Sequence, residues 1–166
     1  MQSLRIAWLT ALLAVFVLAA SAHAAEGPQK IAYFGVLFLN TSPEATTPDE
    51  ERRLAALEER LREGLAETDR YTFVDTAPVE EKAARYANLA HCNGCDARLA
   101  AELGADLALT GEVQKTSNLI LSISVYIRDA ATGALVGGGS ADIRGNTDES
   151  WARGIDYILR NRLLGS

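Results

Sequence analysis

The chain has 166 residues, 48% of them apolar and 23% charged, which is the size and composition of one folded domain and excludes a disordered chain. Sixteen Lys and Arg against 22 Asp and Glu give a net charge of −6, which argues against the basic face of a general nucleic-acid binder. Two cysteines exclude a disulfide-rich scaffold, and two histidines leave little material for a multi-histidine metal site.

Residues 1–24 read as a secretory signal peptide. Met1–Arg5 is short and positive, Ile6–Ala20 is an apolar run of 15 residues, and small residues precede a cut after Ala24. A membrane span needs about 20 apolar residues, and no cysteine follows the run to take a lipid. Cleavage would leave 142 residues and shift the net charge from −6 to −7, because only Arg5 is lost. The expected product is periplasmic or secreted and not membrane-embedded. Residues 25–29 read as a linker and 30–166 as one domain.

Lys30–Leu39 is nearly all apolar without alternation, the pattern of a strand covered on both faces. Thr47-Pro48-Asp49-Glu50 is a capping box with Pro at the first helical position, and acids crowd that turn, where the helix dipole favours them. Leu54, Leu57, Leu61 and Leu65 then draw one apolar stripe on a helix from Pro48 to Glu67. Glu58 and Arg62 are spaced for an ion pair on its solvated face.

Tyr71–Asp75 predicts a short strand, Val79–Asn88 and Asp96–Leu103 predict helices, and Asp106–Gln114 predicts a strand, with Lys115–Asn118 as a turn. In Leu119–Asp129, aliphatic residues at every second position from Leu119 to Ile127 define one sheet face. Asp129–Gly133 makes a hairpin turn, and Leu135–Ile143 returns as a strand whose glycines suggest an edge or a bulge. A last helix starts at Asn146–Glu149 and aligns Trp151, Ile155, Ile158, Leu159 and Leu163.

The order β-α-β-α-α-β-β-β-α predicts an α/β fold: a single domain with a mixed sheet of about five strands, helices packed on it, and a C-terminal antiparallel meander.

Gly35–Ser42, Leu103–Asp106 with Gly111 and Val113, and Asp129–Gly133 resemble the N-terminal domain of the TolB family and the wider curli-secretion (CsgG-like) group, although Leu37 stands where the pattern has Pro. Cys92–Cys95, Val113–Asn118 and Arg144–Trp151 resemble the hallmarks of a family of small secreted bacterial proteins without an assigned activity. These resemblances imply a periplasmic α/β domain and supply no catalytic residue. The likeness to TolB stops at its N-terminal domain, since no propeller repeat is present.

Cys92 and Cys95 form a C-x-x-C unit ahead of a helix, open to three readings: a structural disulfide, a redox pair, or part of a metal site. Position 96 is Asp, not the His of a c-type haem site. Two thiolates and His91 give at most three zinc ligands. No P-loop, G-x-G-x-x-G or nucleophile elbow occurs, so neither a catalytic set nor a cofactor is expected.

Strand direction gives a sharper expectation. The first strand, Asp106–Gln114 and Leu135–Ile143 should end at one rim of the sheet, where helix N-termini gather and ligands of open α/β sheets bind. The candidate surface there is Cys92, Cys95, Lys115, Asn118, Arg144, Asn146 and Trp151. On the alternative reading, Asn118, Asn146 and Asp148 only cap turns and a helix, and Trp151 is core. The functional expectation is a non-enzymatic exported accessory protein that binds an envelope protein or a small ligand at this rim. The alternative is a thiol–disulfide or metal- or cofactor-handling factor using Cys92 and Cys95.

Overall fold

A computed structural model describes residues 27–165; the expected signal peptide and the first two linker residues lie outside them. Five strands form one mixed sheet: β1 (Gln29–Asn40), β2 (Tyr71–Val74), β3 (Leu107–Ser117), β4 (Ile120–Asp129) and β5 (Leu135–Ile143). Their order is β2-β1-β3-β4-β5. β1 runs parallel to β2 and β3, and β3-β4-β5 is an antiparallel meander. The helices are α1 (Pro48–Ala66), the short α2 (Glu80–Ala83), α3 (Cys95–Glu102) and α4 (Asp148–Ile158), the last continuing as a π-helical stretch at Leu159–Leu163. The α/β class, strand count and element order are those expected.

α1 and α4 cover one face. Leu57, Leu61 and Leu65 of α1 pack with Trp151, Ile155 and Ile158 of α4 over Ile31, Leu109, Val113, Leu121, Ile123 and Val125. α3 covers the lower part of the other face through a smaller cluster of Ala32, Ala100, Ala105, Ala108 and Ala130. This explains why β1 shows no alternation: Ile31 and Ala32, adjacent and facing opposite ways, are both fully buried.

Three local expectations are corrected. The Val79–Asn88 helix shrinks to the four residues of α2, flanked by 3-10 turns at Ala77–Val79 and Leu89–His91. Only Val79 in α2 and its flanking first turn is buried, so the segment lacks the apolar face that holds a short helix. Lys115 lies in β3, paired with Asn40 on one side and Leu121 on the other, and the reversal falls at Asn118–Leu119. Leu119 is outside the strand and 72% exposed, whereas Leu121, Ile123, Val125 and Ile127 keep the expected buried face.

The third correction concerns α1. Glu58 makes no ion pair with Arg62; its carboxylate accepts the backbone N–H of Val36 at 2.7 Å. β1 carries a bulge between Tyr33 and Val36, where Gly35 takes a φ of +83°. Glu58 thus satisfies the N–H that the bulge turns away from the ladder, and it also lines a cleft that opens on the far face beside Tyr86–Ala90. The Arg62 guanidinium stands over the rings of Tyr33 and Phe73, 5.0 and 4.9 Å from their centroids.

Candidate functional site

The three parallel strands do end at one rim. Asn40 pairs with Lys115, Lys115 with Leu121, and Leu121 with Ile143, so four strands meet in a single row. The loops beyond are tied together through backbone: the Thr41 N–H donates to Lys115 O at 2.9 Å, and the Asn146 N–H to Asn118 O at 2.9 Å. Gly145 N–H donates to Leu119 O at 3.3 Å. α1 and α4 both start here, capped by Thr47 and Thr147 through the N–H groups of Glu50 and Ser150.

Beneath the rim lies a buried polar cluster. Lys115 Nζ meets Glu50 Oε1 at 2.8 Å, and both side chains are 1% exposed. The same Glu50 oxygen accepts from Asn146 Nδ2 at 2.6 Å, and its other oxygen accepts the Thr47 N–H at 2.8 Å. Asn146 Nδ2 also donates to Asn118 Oδ1, while its Oδ1 accepts from Trp151 Nε1 at 2.9 Å and from Arg53 at 3.3 Å. Arg53 in turn donates to Asp148 at 2.6 Å. Burial pushes the Glu50 carboxyl up, but hydrogen bonds from Lys115, the Thr47 backbone and Asn146 outweigh it, and the group stays below the usual carboxylate range. Arg53 holds Asp148 below that range as well.

Of the sequence candidates, the rim unites Lys115, Asn118, Arg144, Asn146 and Trp151. Lys115 and Trp151 are buried, Asn146 is half-buried, and Asn118 and Arg144 are exposed. Trp151 is core, as the alternative has it, but Asn146 does not cap α4: Thr147 does, and the Asn146 side chain instead bonds Glu50, Asn118, Arg53 and Trp151. Glu50 and Arg53 are central and were not singled out. Glu50 read as a capping-box residue alone; its second role depends on Lys115 arriving from a strand 65 residues away.

Cys92 and Cys95 do not join this rim. They form a disulfide with Cα atoms 5.5 Å apart, on the face covered by α3. Asp96, next to Cys95, pairs with Arg128 at 3.3 Å, and Arg128 lies beside Ala108 near the start of β3. The reason is length. Eight helical residues cover about 12 Å, while the 11 residues of β3 cover about 36 Å, so α3 starts well short of the carboxyl end. Cys95 is 1% exposed, and the disulfide encloses two residues of left-handed backbone, Asn93 at φ 58° and Gly94 at φ 80°. Among the described residues no three Asp, Glu, His or Cys groups are placed to hold a metal ion, and no helix is long and apolar enough to cross a membrane.

What remains accessible at the rim is partly apolar. Leu119 and Ile120 are 72% and 49% exposed, on a turn whose backbone is bonded to the β5–α4 loop. Arg144 beside them has no ion-pair partner among the described residues.

Residues 29–163 match the model of a family described as "Protein of unknown function (DUF2380)". No curated protein matches the chain. Among solved structures, the LpoB C-terminal domain from Salmonella enterica is similar at 13% identity, covering 75% of this chain and 88% of that one, with a TM-score of 0.52. Lipoprotein GNA1162 from Neisseria meningitidis is 24% identical over 73% of this chain and 84% of that one, with a TM-score of 0.48. TolB from Acinetobacter baumannii is 14% identical over 74% of this chain and 25% of that one, with a TM-score of 0.37. At these identities the likeness is one of fold.

Proposed function

The chain belongs to this family of proteins of unknown function, and we propose that it is a non-enzymatic accessory protein of the cell envelope, exported to the periplasm or beyond, that binds a protein partner at the carboxyl rim of its sheet. The observation that carries the reading is the pairing of a buried, internally bonded support with an apolar tip. Glu50 and Lys115 are buried and bonded to each other and, through Glu50, to Asn146 and Thr47, which fixes α1, α4, β3 and two loops relative to one another. The turn that this cluster immobilises holds Leu119 and Ile120 out to solvent next to Arg144. Apolar side chains on a rigid support, rimmed by a cation, are what a protein surface covers at low entropic cost. The secretory pattern of residues 1–24 supports an envelope location. In this reading the Cys92–Cys95 disulfide staples the segment leading into α3 and takes no part in binding.

A photoreactive side chain at position 119, introduced in the native host, tests the proposal against the same group at position 132 on the opposite pole. A defined protein adduct is expected at 119 and not at 132, and it should disappear on Ile120→Asp with Arg144→Glu. Adducts at both positions, or none at 119, would refute the rim as the docking surface.

A further inference from the structure

We propose that the outer edge of β5 accepts an added β-strand from a protein partner, and that this strand carries carboxylates at the alternate positions facing α4. β5 pairs with β4 on one side and with no strand on the other among the described residues. Its outward N–H and C=O groups therefore form a row available to an extended chain. Edges that avoid such pairing carry proline, lysine or a bulge at mid-strand. Leu135–Ile143 has no proline and no lysine, and its one charge is Asp142. The register shift falls at the Leu135 end, leaving Gly137–Ile143 in unbroken register with β4. Leu135 and Val136 are 57% and 58% exposed at the start of the same edge.

The edge is flanked by a groove of about 470 Å³ between β5 and α4, lined by Ser140, Asp142, Ile143, Arg144, Arg153 and Tyr157 among others. Farther along, the stem of Arg162 lies directly under Gly139. Arg144 and Arg162 have no ion-pair partners among the described residues, and Arg153 meets only Glu149, itself well exposed. Three arginines thus follow one edge of a chain whose net charge is −6. Side chains of an added strand alternate between faces, so every second one would enter this groove. Asp142 also lines the groove, but by strand alternation its side chain leaves from the face away from α4, since it pairs with Ser122, whose neighbours Leu121 and Ile123 are buried on the helix side. A carboxylate on that face of the incoming strand would meet like charge.

A second copy of this chain fits less well. Its β5 would present Gly137, Gly139, Ala141 and Ile143 to the groove, and none of these answers an arginine.

The proposal shares only Arg144 with the rim described above, so its test uses Arg153 and Arg162 and leaves Arg144, Leu119 and Ile120 intact. The mature chain, isotopically labelled, is titrated with a synthetic octapeptide alternating valine and glutamate, and with its valine–lysine counterpart, while amide shifts and hydrogen exchange are followed. The glutamate peptide should perturb and protect the amides of Gly137–Ile143, and the lysine peptide should bind about tenfold more weakly or worse. Arg153→Glu with Arg162→Glu should invert that preference with an unchanged circular dichroism spectrum. Equal binding of the two peptides, perturbation outside β5, or absence of binding overturns the proposal. So does a β5 edge that becomes protected without peptide as protein concentration rises, which would make a second copy the occupant.

Discussion

Replacing Lys115 by Met tests whether the polar cluster under the rim is an electrostatic unit. The change keeps the length of the side chain and removes the charge that faces Glu50 at 2.8 Å, with both groups 1% exposed. Glu50 would keep its bonds from Thr47 and Asn146 but lose the cation paired with it, and the other ionic neighbour of Lys115, Glu44, is itself acidic. Breaking one half of a buried pair costs about 3–5 kcal/mol, which in a domain of this size lowers the melting temperature by roughly 10 °C or more. Adding Glu50→Gln removes the stranded charge. The double variant should then return to within about 2 kcal/mol of the parent, the residue being the weakened capping box and its hydrogen bonds. Urea denaturation followed by Trp151 fluorescence gives the full double-mutant cycle. A Lys115→Met cost below about 1 kcal/mol, or additive losses in the double variant, would refute the coupling.

Three further outcomes are expected. Because the Glu50 carboxyl is held below its unfolded value, its stabilisation is complete above about pH 4.3 and is lost as pH falls through the lower folded value. Acid denaturation curves of the parent should therefore fall more steeply than those of Glu50→Gln below that pH. Cys92→Ala with Cys95→Ala opens a loop of only four residues, so the chain-entropy cost is about 2 kcal/mol. The melt of this variant should match that of the reduced parent, and a far larger loss would show that the staple does more than close a loop. Gly154→Val should destabilise by about 1–3 kcal/mol, because even a Cβ there would stand 2.7 Å from Ile123 Cδ1 and 2.8 Å from Ile143 Cγ2; an unchanged melting temperature would show that α4 can lift off the sheet.

The elements most legible in the sequence are those in which one local signal suffices. The capping box at Thr47–Glu50, the leucine stripe of α1 and the alternation from Leu121 to Ile127 each report a contact with a neighbouring layer, and each is found where expected. Strand direction carried the convergence of Asn40, Lys115 and Arg144, since parallel and antiparallel connections leave little choice of rim. What the sequence hides is a side chain serving two masters. Glu50 looks like a cap, Glu58 like half of a helix-surface pair, and Lys115 like a turn residue. Each is diverted by a partner that only the folded sheet supplies. Helix length was the other blind spot: α3 is too short to bring Cys92 and Cys95 to the rim, and segment boundaries alone do not convey how far a helix reaches across a sheet.

The bulge in β1 makes the sheet a wall with a window. Through it the carboxylate of Glu58 holds the strand from one side and helps floor the Tyr86–Ala90 cleft on the other. A shift of α1 along its axis would thus pull on β1 at Val36 and alter the Tyr86–Ala90 cleft beyond it, a connection that the two separate apolar cores do not provide.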